Sequence, residues 1–103
     1  MKTILQRLRE NELLVCDGAM GTFLQQKGLV PGTCPELWCV DRPDDVKDIH
    51  RSYRDAGSDM VECNSFGGSR HKLEHYGLAA RVTDINRAAA AIARDVAAGT
   101  QHV

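Results

Sequence analysis

The stretch Leu13-Leu14-Val15-Cys16-Asp17-Gly18-Ala19-Met20-Gly21-Thr22 decides the fold. Its apolar run ends in a glycine-rich turn, and it lacks the alternation of a half-exposed strand. That combination predicts a strand buried on both faces. Thr22 with Gln25 then reads as a capping box that opens a brief helix, which Gly28 ends. The design recurs further along. Met60-Val61-Glu62-Cys63 reads as a second strand, and it runs into a second small-residue loop, Asn64-Ser65-Phe66-Gly67-Gly68-Ser69.

Helices fill the spaces between. Met1 to Glu10 suits a short helix with Ile4, Leu5 and Leu8 on one side. Val30 to Val40 reads as a loop containing Pro31, Gly32 and Pro35. Pro43 fits the first turn of the next helix, where Asp44 and Asp45 complement the dipole. Val46, Ile49, Tyr53 and Ala56 recur at helical spacing until Gly57. Arg70 to Tyr76 suits a short helix closed by Gly77. Thr83 is a candidate cap for the last long helix, which buries Ile85, Ala89, Ile92 and Val96 and stops at Gly99. His102-Val103 looks like the start of a third strand. This βαβα order places the chain in the α/β class, with parallel strands and right-handed crossovers. Two parallel strands cannot cover their own faces, so the expected architecture is incomplete.

At 103 residues the chain is shorter than the roughly 250 of an α/β barrel. Its 43% apolar and 26% charged residues are ordinary for a globular protein. A net charge of -1, with no basic block, argues against nucleic acid or an anionic membrane as partner. No apolar run approaches the roughly 18 residues of a membrane span. Charges interleave with leucines from Met1 to Leu14, unlike a secretory signal, which makes the cytoplasm the default expectation.

In parallel α/β folds, ligands sit beyond the carboxyl ends of the strands. Asp17 to Thr22 and Asn64 to Ser69 both occupy that position. Asp17 offers a carboxylate to a cation, and the amides of Gly18, Ala19, Met20, Gly21 and Thr22 lead into a helix start, which attracts anions. A carboxylate beside a row of amides suits an amino-acid zwitterion. Turn chemistry alone also accounts for Asp-Gly and for Asn64. Glu62 is either an ion-pair partner or a ligand group. The Cys34-x4-Cys39 spacing is marginal for zinc and further ligands are missing, so no metal site is assigned to them. Cys16 and Cys63 read as small core residues, and His71 and His75 as a solvated helix face.

Taken together, these segments resemble the homocysteine S-methyltransferase family. The resemblance rests on Asp17 to Thr22 and Pro35-Glu36-Leu37-Trp38. It continues through His50-Arg51, Tyr53 and Ala56-Gly57-Ser58-Asp59 to Glu62-Cys63-Asn64-Ser65-Phe66-Gly67 and Lys72-Leu73-Glu74 with Tyr76-Gly77-Leu78. It runs from about Leu13 to Val103. It implies the N-terminal βαβα portion of a (β/α)8 TIM barrel, incomplete in this chain. It also implies zinc held by three cysteines, with homocysteine bound as a thiolate that attacks an activated methyl group and gives methionine. The resemblance assigns Asp17 to the substrate ammonium and Gly18 to Thr22 to its carboxylate. Asn64, Ser65 and Phe66 would line the same pocket.

Cys63 and Ser65 stand where that family usually has threonine. None of Cys16, Cys34, Cys39 or Cys63 matches the family's zinc cysteines, which lie in later strands, so no metal ligand is assigned here. The methyl donor is open, with cobalamin one candidate. The alternative reading is a non-catalytic part of a split barrel that acts by association, and exposed edges would also favour self-association.

Overall fold

The two longest helices set the frame of the computed structural model, which describes residues 1–103. Here α1 is Ile4–Arg9, α2 is Gly21–Gln26, α3 is Trp38–Asp41, α4 is Pro43–Asp55, α5 is Arg70–Glu74 and α6 is Val82–Ala97. Pro43 opens α4, and Asp44 and Asp45 sit in its first turn, as the sequence predicts. Its inner face carries Val46, Ile49 and His50. That face packs on α6, whose inner face carries Ile85, Ala89, Ile92, Ala93, Val96 and Ala97. Left-handed backbone at Ala98 (φ 45°) and Gly99 (φ 78°) ends α6 and turns the chain back.

Leu24, Leu29, Cys39, Val46, Ile49, Ala89 and Ile92 form the main core, which Met20, Trp38, Tyr53 and Cys63 flank. Cys34, Leu73 and Ile85 form a second cluster, and Val61 packs on Ala93 and Ala97. Each fully buried aliphatic side chain contributes about 1.5–3 kcal/mol relative to exposure.

Several local expectations are corrected. Thr22 lies inside α2, and Met20 precedes the helix without a side-chain cap, so Thr22 and Gln25 form no capping box. Thr83 caps nothing, because a 3-10 turn, Ala79–Arg81, feeds directly into Val82. The reciprocal capping box belongs to Thr3 and Gln6 on α1, and Ser69 caps α5. The stretch 30–40 is partly helical: Pro35–Leu37 is a 3-10 turn that continues into α3, with proline starting it.

The two expected strands are parallel neighbours, but each is reduced to a single bridge. Cys16 pairs with Met60 and Met60 with His102, both parallel. Met60 therefore lies centrally, and His102 confirms a third extended segment. Asp17 N–H donates to the Met60 carbonyl (3.0 Å) and Val61 N–H to that of His102 (2.8 Å). The first segment is not buried on both faces. Leu13 is 87% exposed, and Val15 is exposed too, because nothing in this chain covers that side. Cys16 is likewise exposed rather than a core residue. No helix is long and apolar enough to cross a membrane.

Candidate functional site

The parallel bridges put both small-residue loops at one end of the extended segments. Asp17, Gly18 and Met20 from the first loop, with Glu62, Cys63, Asn64, Ser65 and Phe66 from the second, line a concavity of about 230 Å³. Ala19, Gly21 and Thr22 lie outside it. Of the residues singled out in the sequence, six therefore converge there and three do not.

Asp17 caps no helix. Both its carboxylate oxygens accept the backbone amide of Glu62 (3.1 and 3.2 Å), and Cys16 Sγ donates to Oδ1 (3.4 Å). The amide ties the first segment to the second and occupies only part of the carboxylate's accepting capacity, since each oxygen has two lone pairs. Glu62 is exposed, and its side chain accepts from Cys16 Sγ (3.3 Å).

Asn64 is 6% exposed, and its amide nitrogen is committed elsewhere. Its Nδ2 donates to the Pro35 carbonyl (3.1 Å) and to Cys39 Sγ (3.5 Å). It anchors the second loop. Phe66, by contrast, is 94% exposed, with Lys72 Nζ 4.5 Å from the ring centroid.

The residues that hold the loops were not singled out in the sequence for that role. Tyr53 on α4 donates its hydroxyl to the Ala19 carbonyl (2.6 Å) and packs under Gly18, where a Cβ would stand 3.3 Å from the phenol oxygen. Asn86 on α6 donates to the Gly68 carbonyl (2.8 Å). The signal for Tyr53 was present as a helical-period position, which gave its burial but not its polar task.

No three of the four thiols bring their sulfurs within 4.8 Å of one another, so they do not fit a three-thiolate zinc centre. Burial pushes the Cys39 thiol up to about 12 and raises those of Cys34 and Cys63. Cys34 and Cys39 sit in different apolar clusters. Cys16, Asp17 and Glu62 bring ligand atoms within 4.8 Å of one another. There, desolvation and hydrogen bonds to Glu62 and Asp17 push the Cys16 thiol up to about 11.

Comparison with known proteins fits this arrangement. A family model described as homocysteine S-methyltransferase matches residues 14–102. Methionine synthase of Mycobacterium tuberculosis is 40% identical over 101 residues, covering 92% of this chain and 8% of that protein. Betaine–homocysteine S-methyltransferase 1 of Bos taurus is 37% identical over 103 residues, covering 93% of this chain and 25% of that protein. The counterpart in Sus scrofa is also 37% identical, with 36% of its length covered. The chain thus spans between about a twelfth and about a third of these relatives. The matched span contains both loops and every residue of the concavity, and on that ground the chain belongs to the homocysteine S-methyltransferase family.

Proposed function

We propose that this chain forms the N-terminal part of a (β/α)8 barrel and supplies the amino-acid end of a homocysteine pocket. The reaction is methyl transfer to the homocysteine thiolate, giving methionine. One observation carries the reading: Asp17 and the segment Asn64 to Phe66 line one concavity beyond the ends of parallel segments. Asp17 holds the substrate ammonium through the lone pairs its Glu62 contact leaves free. Of the turn from Gly18 to Thr22, the backbone amides of Gly18 and Met20 at the wall hold the carboxylate. Ser65 offers a hydroxyl, and Phe66 an apolar face. The chain's own thiols do not fit zinc, so a zinc that activates the substrate sulfur is held by residues outside this chain. The methyl donor, cobalamin-bound or other, also approaches from outside it, and the location is cytoplasmic. A second reading, association as one piece of a split barrel, is favoured by the exposed Leu13 and Val15.

Titration of the 15N-labelled chain with L-homocysteine tests the site. Weak binding should move the amide resonances of Asp17 to Met20 and of Asn64 to Phe66 together. Asp17→Asn should weaken it by about 1.5–3 kcal/mol, the usual worth of a hydrogen bond to a charged group. Shifts confined to other residues would contradict the assignment. Calorimetric titration of the reduced chain with zinc should show no tight stoichiometric uptake, and such uptake would reverse the reading of the thiols.

A further inference from the structure

A carboxylate is seldom buried without a partner that compensates its desolvation. Glu36 is only 5% exposed, in the 3-10 turn Pro35–Leu37. Its carboxyl group lies against the backbone of Gly67. A Cβ built on Gly67 would overlap Glu36 Oε1 and stand 3.2 Å from its Cδ. A Cβ there would make the Glu36 carboxylate shift, so the glycine allows close approach rather than a left-handed backbone. The neighbouring residue of the same turn holds the other end of the loop, because the Pro35 carbonyl accepts from Asn64 Nδ2 (3.1 Å). Ser65 and Phe66 lie between these two grips, and both line the concavity described above.

We propose that Glu36 is a positioning residue whose carboxylate, seated on the backbone of Gly67, sets how Ser65 and Phe66 are presented to substrate. Its functional half rests on reading that concavity as the homocysteine site. Glu36 does not line the concavity, so its influence passes through the loop backbone. The groups facing it are Lys72 on α5, with His75 and Tyr76 just beyond across the adjoining cavity, and the thiols of Cys34 and Cys39. Burial raises its carboxyl above the ordinary value of 4.5, while the backbone amides of Glu36 and Gly67 and the charge of Lys72 act in the opposite direction. A raised acid favours the protonated fold. That stabilisation is complete below the ordinary value and is lost as pH rises through the folded one.

The test is a pH titration of the 15N-labelled full chain, followed at Ser65, Phe66 and Gly67. These amides should titrate together with a midpoint above 4.5. Glu36→Gln should abolish that titration yet keep the loop resonances near their wild-type positions, because its carbonyl oxygen still accepts. Glu36→Ala should shift the loop and weaken L-homocysteine by up to about tenfold, the effect of losing one typical hydrogen bond. Asp17→Asn should weaken homocysteine while leaving the Gly67 titration in place. Gly67→Ala should disturb the loop when Glu36 is present and be tolerated beside Glu36→Ala.

Loop amides that do not titrate, or a Glu36→Ala loop unchanged in shift, would overturn the proposal. A wild-type chain whose loops ignore homocysteine would instead overturn the site reading, and with it the functional half. The amide titration and the Gly67 coupling then decide the geometric half on their own.

Discussion

Leu24 on α2 and Leu13 on the first extended segment are the same residue type, a short distance apart in sequence. Leu24 is fully buried, whereas Leu13 is 87% exposed. The helical layer is closed on itself, with α4 against α6 and α2 and α3 filling the sides. The extended segments meet at one bridge per pair and turn apolar side chains outward. The difference teaches that stability and the site draw on separate parts of this molecule. Packing resides among the helices, while the residues that line the concavity hang from the thinly joined segments.

The largest expected effect breaks the packed side. Leu24→Ala should destabilise the chain by about 2–5 kcal/mol in urea unfolding, the range for a cavity in a closed core. A loss near zero would mean the helical layer is no better packed than the segments. Tyr53→Phe probes the seam between the two, since its hydroxyl alone reaches the Ala19 carbonyl. It should cost about 0.5–1.5 kcal/mol and increase amide exchange at Gly18 to Gly21, leaving α6 protected. Uniform loss across both layers would show that Tyr53 serves packing only.

Acid should act on the segments first. The Val15 amide (2.9 Å) and Arg7 (2.8 Å) hold Asp59 below its ordinary carboxylate value of 3.8. A depressed acid stabilises the fold above that value, and the stabilisation is lost as pH falls through the folded one. Protection from amide exchange, relative to the intrinsic rate at each pH, should therefore fall at Val15 and Met60 on acidification before it falls at Ile92, and simultaneous loss would erase the distinction. The smallest effect on stability is expected at the open face. Leu13→Ser should change unfolding free energy by no more than about 0.5 kcal/mol, yet raise the monomer fraction in analytical ultracentrifugation. An unchanged sedimentation profile would remove self-association through this face.

Periodicity made the helical layer legible. Val46, Ile49, Ile85, Ala89, Ile92 and Val96 are buried where a 3.6-residue repeat puts them. Parallel direction was legible as well, from the connecting helix between Cys16 and Met60. Strand extent was not. An apolar run records the burial a segment is built for, and Leu13 and Val15 remain outside because no layer in this chain reaches them. Caps were misread at Thr22 and Thr83, because each lies inside its helix, past the N-cap position that Met20 and Arg81 occupy. Convergence of Asp17 with Asn64 to Phe66 followed from topology. The supporting roles of Glu36, Tyr53 and Asn86 did not, since each depends on a contact between residues distant in sequence.

The single rungs at Cys16, Met60 and His102 also dictate an order of assembly. Each one closes a loop of about 43 residues, and closure entropy grows with loop length while one rung returns little. The rungs become favourable only after α4 and α6 have compacted the intervening chain. Folding then proceeds from local helices to distant pairings, and the amides of Asp17, Val61 and His102 should be the last to gain protection. The concavity depends on that alignment, so it is completed at the end of the folding path, after most of the stabilising surface is already in place.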